Sequence, residues 1–323
     1  MVRVAAIVDG KTVESEGTDA IKKLPDLVRH PDACVWVDLS GPSDDQVEQV
    51  GSILSLHPLI VEDILEGNQR AKIELTDGIV HIVMFSLEYD AEIPITEIDL
   101  VLGDRYLLTA HDRSWDPRAS HHLRGGAAVG PVLTDGPDHL LWAIADDIVD
   151  RYFPFADRLG DEIDEVQDRV VREADPDALE RLFQLKRELM DVRRSVGPVR
   201  EVFNQLTNRE TELIEPNQVI YFRDVYDHVI RLTDELDNYR ELAAATLDVY
   251  LTQVNNNLSA VMKRLTGVTV IVAGVVAVAG IFGMSEASTA LAGTEGSGFW
   301  MVTWVTIVVA AVAAVILRKI GWI

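Results

Sequence analysis

The sequence predicts an α+β cytoplasmic domain, an α/β sandwich with added long helices, joined by a long stalk helix to two C-terminal transmembrane helices. Three observations predict it. Asp and Glu number 53 against 29 Lys and Arg in 323 residues, a net charge of -24, yet the mean hydropathy is slightly positive, so charge and apolarity occupy different places. Two long uncharged runs lie near the C-terminus. Ahead of them, turn-punctuated strands give way to helical periodicity.

The strands come first. VRVAAIV and KTVES flank Asp9-Gly10, a two-residue hairpin turn. ACVWVDLS is the next strand, and Ser43 with Gln46 makes a capping-box start for a helix running to about Leu56. His57, before a proline, marks a helix entry with a structural role. Asp77-Gly78 separates AKIEL from IVHIVMFSLEY, and Gly103-Asp104 separates TEIDLVL from RYLLTAH, giving two further hairpins. Residues 124–137, rich in Gly and Pro, predict a linker.

From His139 the apolar spacing is helical, with Pro154 as a kink. A second helix starts near Pro176 and runs through Leu206. A third starts near Asn217 and meets no proline before Met284, so a single helix about 100 Å long would carry movement below into the membrane. The acidic run Asp161, Glu162, Asp164, Glu165 and Asp168 reads either as a solvated helix face or as an electronegative surface that draws cations.

The uncharged runs are Leu265–Met284 and Phe299–Leu317, 20 and 19 residues, each long enough to cross a hydrocarbon core of about 30 Å. Lys263 and Arg264 precede the first, and Arg318 and Lys319 follow the second. The loop between, Ser285 to Gly298, carries only Glu286 and Glu295. The positive-inside rule puts both termini in the cytoplasm of a multi-pass protein of the cell membrane. The charges after Arg264 cancel, so the whole -24 belongs to residues 1–264. The domains are then 1–136, cytoplasmic α/β; 137–264, helical and stalk; and 265–323, transmembrane.

One side of the first span carries Asn255, Ser259, Met262, Thr266, Thr269, Ala273, Val276, Gly280 and Gly283, a seam of small or polar residues and one methionine at a period near 3.5. It serves close helix packing in lipid, lines a symmetric pore, or both. Two spans cannot enclose water alone, so transport requires several copies.

Other chemistry is weakly supported. Acidity argues against nucleic acid as a partner. Cys34, the sole cysteine, can form neither an internal disulfide nor a cysteine zinc cluster. His111, His121 and His122 are close in sequence, but a metal site needs convergent geometry and more ligands, so they read as loop histidines. No nucleophile has a supporting base, no phosphate-binding glycine loop occurs, and an enzyme is not expected.

Several segments together resemble the CorA family of magnesium and related divalent-cation transporters. They are Trp36-Val37-Asp38-Leu39, LHPLIVEDI (56–64), Gln69-Arg70-Ala71-Lys72-Ile73, Arg223-Asp224-Val225-Tyr226-Asp227-His228, Val261-Met262-Lys263-Arg264-Leu265-Thr266 and Gly280-Ile281-Phe282-Gly283-Met284-Ser285. The resemblance implies a funnel-shaped homopentamer, with stalk helices continuing as pore helices and second spans outside. It implies Mg2+ or another divalent ion as cargo and as regulator, with Asp224 and Asp90 as regulatory ligands, Met262 and Leu265 as an apolar gate, and no organic cofactor. The membrane potential would drive influx, since one charge gains about 2.3 kcal/mol per 100 mV.

The mouth departs from the family. Gly283-Met284-Ser285 stands where the family has Gly-Met-Asn, Gly274 replaces a proline, Val276 takes a polar pore position and Ser259 an asparagine one. Serine lacks the amide donor and is shorter, which leaves magnesium, cobalt, nickel or zinc open as cargo. A non-conducting sensor or scaffold with a degenerate mouth is the alternative.

Overall fold

The computed structural model describes residues 1–76, 78–87, 95–123, 129–208, 211–283 and 297–322. Seven strands form one sheet: β1 (Val2–Val8), β2 (Lys11–Glu16), β3 (Cys34–Ser40), β4 (Lys72–Thr76), β5 (Ile79–Leu87), β6 (Ile95–Gly103) and β7 (Tyr106–His111). Their order is β2-β1-β3-β7-β6-β5-β4. Neighbours are antiparallel except the central β3–β7 pair. The three expected hairpins form. Asp9 and Gly10 both take positive φ, 51° and 73°, the conformation a tight primed turn demands. The third turn falls one residue later than expected: Gly103 pairs with Tyr106, leaving Asp104 and Arg105 at the bend. A Cβ on Gly103 would overlap the Tyr106 ring, which is why glycine ends this strand instead of making the turn.

Helices cover both faces. On one lie α1 (Gly17–Arg29), α2 (Asp44–Leu54) and α3 (Pro58–Glu66). Val2, Val4, Ala6, Val35, Val37, Leu39 and Leu108 meet Ala20, Leu24, Val47, Val50 and Leu54 there. On the other lie α4 (Val129–Thr134) against β1 and β3, and α5 (Pro137–Asp150) against β6 and β7. The linker expectation is corrected over 129–134: Val129 and Leu133 are fully buried, because this Gly- and Pro-containing stretch supplies apolar residues at helical spacing. The α2 entry is as read, with Gln46 Oε1 accepting from the Ser43 N–H at 3.1 Å. His57 Nδ1 accepts from the Leu59 N–H at 3.2 Å and caps α3.

Two helix expectations are also corrected. The segment from His139 is not one kinked helix, because α5 ends at Asp150 and α6 (Tyr152–Arg172) begins anew, placing Pro154 in its first turn, where its missing N–H costs nothing. The helix from Pro176 is two, α7 (Pro176–Val196) and α8 (Val199–Asn208), broken at Gly197-Pro198. The third expectation holds: α9 (Val219–Gly283) is one helix of 65 residues. The last, α10, spans Ser297–Lys319.

By density of contacts the chain forms two units, residues 1–166 with 180–244, and 167–179 with 245–323. In the first, Phe222, Val225, Val229, Leu232 and Leu236 of α9 are buried with Leu159, Ile163, Leu185, Leu189 and Val192 of α6 and α7. Gly160 admits the Tyr239 ring, which a Cβ would displace.

Candidate functional site

The recognisable sequence segments of the first unit prove to be fastenings. Asp38 is buried between β1 and β7, where its Oδ1 accepts from Thr109 Oγ1 at 2.7 Å and meets His111 Nε2 at 3.1 Å. Trp36 Nε1 donates to Thr109 Oγ1 at 3.1 Å. His111 is thereby committed to the core, away from His121 and His122. Lys72 reaches Asp63 at 2.6 Å and Glu74 at 3.0 Å, tying α3 to β4. Beneath α3 the row of paired residues Val4, Val37, Leu108, Val101, His81, Glu74 turns from apolar to polar, and the buried His81 meets Asp99 at 2.7 Å. Burial and the neighbouring Asp99 charge push the Glu97 carboxyl up to about 7.

The acidic run on α6 divides. Burial raises the Glu162 carboxyl, but the Arg181 and Arg158 guanidiniums outweigh it and hold it below the ordinary value. Asp168 pairs with Arg172 at 3.8 Å. The run is thus partly neutralised, which favours the solvated-face reading.

The seam is carried on α9. Its covered side follows one heptad register, Phe222, Val225, Val229, Leu232, Leu236, Ala243, Thr246 and Tyr250, all buried. The same register resumes in the apolar stretch at Gly267, buried, and at Ile271 and Val278, half-buried. Ser259, Met262, Leu265, Thr266, Thr269, Ala273, Val276 and Gly280 are all exposed. At about 100° per residue these centre roughly 190° around the helix from Gly267, Ile271 and Val278. The seam therefore lies on the side the chain leaves uncovered. A Cβ at Gly280 would meet nothing within 4 Å, and the Thr269 hydroxyl donates to the Leu265 carbonyl at 2.8 Å, leaving its lone pairs outward. Gly283 ends the helix. Met284 and Ser285 lie outside the described residues, as does Asp90.

Counting the seam's register toward the N-terminus finds Asp224, which the resemblance already named, together with acids that the sequence reading missed. Asp224, Asp227, Asp234, Glu241 and Asp248 fall on it, with Arg231 the sole base, and all six are exposed. Among the described residues Asp224 has no ion pair. The signal was the same 3.5-residue period, which the composition of the apolar segment made visible only there. The acids and the small residues share one heptad register along the sequence of α9.

A family model described as CorA-like Mg2+ transporter protein matches residues 31–319. The chain is 34% identical over 276 residues to the cobalt/magnesium transport protein CorA of Thermotoga maritima, covering 84% of this chain and 78% of that one. It is 25% identical over 325 residues to the CorA of Methanocaldococcus jannaschii, covering the whole of both. The complete structure of the Methanocaldococcus jannaschii CorA magnesium transporter superposes with a TM-score of 0.79 at 21% identity, covering 100% of this chain and 99% of that one. The full-length CmaX structure gives 0.71 at 16% identity, over 99% and 97%. The chain belongs to the CorA-like Mg2+ transporter family.

Proposed function

We propose that the chain is a homopentameric transporter of divalent metal cations in the cell membrane, with both termini cytoplasmic. Leu265–Met284 is the pore span and Phe299–Leu317 the outer one. The observation that carries this reading is the uncovered seam on α9, opposite the side the chain itself covers. Copies meeting along it would surround an axis lined by Ser259, Thr266, Thr269, Ala273, Val276 and Gly280, with Met262 and Leu265 as a dry gate and Gly283-Met284-Ser285 at the outer mouth. The acidic stripe from Asp224 to Asp248 would concentrate cations at the cytoplasmic end.

The cargo is Mg2+, Co2+, Ni2+ or Zn2+, drawn inward by the membrane potential. Cytoplasmic divalent ions at Asp224 and Asp90 would hold the closed state, because an ion that binds one state better shifts the population toward it. Purified protein in liposomes should take up at least one of the four ions, and Gly280→Trp should abolish that uptake. No flux of any of them would leave a sensor or scaffold. Asp224→Lys should mimic a bound cation and flatten the dependence of flux on cytoplasmic Mg2+; an unchanged dose-response curve would remove Asp224 from regulation.

A further inference from the structure

His81 is an unusual occupant of the core. It sits on β5 beneath α3, fully buried, in the row where apolar residues give way to polar ones. Its Nε2 lies 2.7 Å from Asp99 Oδ1. Its Nδ1 is buried without a hydrogen-bond partner. A carboxylate accepts and does not donate, so the ring proton belongs on Nε2 and Nδ1 carries a bare lone pair. Two acids gather around this imidazole: Asp63 of α3, and Glu74 of β4, which stands directly opposite His81 in the strand register. One ligand atom from each of Asp63, Glu74 and His81 falls within 4.8 Å of the other two.

The surroundings are short of positive charge. Glu97 and Asp99, two apart on β6, pair with no Lys or Arg among the described residues. Glu97 is held by the Gln69 N–H at 3.0 Å, and Asp99 by His81. Burial, then the Asp99 and Asp63 charges, raise the Glu97 carboxyl. Lys72 answers part of this excess, with its Nζ 2.6 Å from Asp63 and 3.0 Å from Glu74. An ammonium already stands between the two carboxylates, where a cation is wanted. Its side chain is long and reaches solvent, so it can swing out and give up that place.

We propose that Asp63, Glu74 and His81 form a binding site for a divalent transition-metal ion, which replaces the Lys72 ammonium between the two carboxylates. The contact of His81 with Asp99 is the outer half of an arrangement that metal-bound imidazoles show, with one nitrogen on the ion and the other donating to a carboxylate. One imidazole and two carboxylates suit Zn2+, Co2+ or Ni2+, whereas Mg2+ takes oxygen ligands and keeps its water. Donors around a tetrahedral ion of this kind stand about 3.4 Å apart. Rotation of the two acidic side chains closes the gap from 4.8 Å. Glu74 is half exposed on the edge strand β4 and gives the ion a way in. These residues lie in one contact unit, on the face of the sheet opposite α5. The site therefore forms within a single chain and does not depend on whether the membrane helices conduct.

Co2+ titrated into the full-length protein in detergent tests this through the visible d–d absorption of the bound ion, with excess Mg2+ present to fill sites made of oxygen alone. The wild type should bind one more Co2+ per chain than His81→Gln, and Zn2+ should displace that ion. Glu74→Gln, at a half-exposed position that leaves the fold intact, should lose the same ion. Asp99→Asn should weaken its binding by about tenfold. Lys72→Gln, which removes the competing ammonium, should tighten it. The proposal is overturned if the wild type, His81→Gln and Glu74→Gln bind the same number of Co2+ ions, or if Lys72→Gln holds the ion no more tightly than the wild type.

Discussion

Glu97 is half-buried beneath α3, where its carboxylate accepts from the Gln69 N–H at 3.0 Å and stands beside Asp99. Its pKa of about 7 exceeds the ordinary 4.5. Between those values the native chain holds a proton that the unfolded chain has released, so rising pH lowers stability across that window. Glu97→Gln keeps an acceptor for Gln69 and carries no charge. Its Tm relative to the wild type should therefore climb from pH 5 to pH 8, a window set by the shift to about 7 and its linkage; a constant difference would refute the assignment. Asp38 matters through its hydrogen bonds. Asp38→Ala leaves the Thr109 hydroxyl and the His111 imidazole without their buried acceptor and should cost about 3 kcal/mol, read as a fall in Tm. In the sequence Asp38 was visible only within a segment of the family resemblance, and Glu97 only as part of a strand. Their roles depend on strand register, since Asp38 stands opposite Thr109 only because β3 and β7 run parallel.

At the scale of elements, the hairpins, α2, the α3 entry and the length of α9 were legible because each depends on local chemistry: a primed turn, a capping box, a histidine before proline, a run without proline. What was not legible depends on packing. Helix α1 passed unread because Pro25 interrupts its pattern, and only contact with β1 and β2 makes its face worth burying. The break at Gly197 is local instead: a Cβ there would collide with the Arg193 side chain and carbonyl one turn earlier, and Pro198 follows it. The acidic stripe on α9 yields a prediction of its own. Asp248→Lys reverses a charge on the seam's register without touching the buried side, so it should slow cation uptake, and more strongly at low ionic strength, where screening is weak. Equal rates for variant and wild type at low salt would show that the stripe faces away from the ion path.

For the whole molecule, the proposed pentamer brings together five cytoplasmic parts, each carrying the chain's entire formal charge of -24. Like charges held in one assembly repel unless cations intervene. Removing divalent ions with a chelator should therefore loosen the cytoplasmic part and speed its limited proteolysis, and Mg2+ should restore protection; proteolysis indifferent to both would contradict ion-held closure. The central claim is that the seam side of α9 surrounds water. Cysteine accessibility tests it most directly, because burial and the Asp138 charge push the native Cys34 thiol up to about 12, leaving it unreactive near neutral pH. In membrane vesicles under conducting conditions, Thr269→Cys should react quickly with a charged, impermeant thiol reagent, while Ile271→Cys on the covered side should react slowly. Equal rates, or faster reaction at 271, would place the seam against lipid or protein and contradict the account.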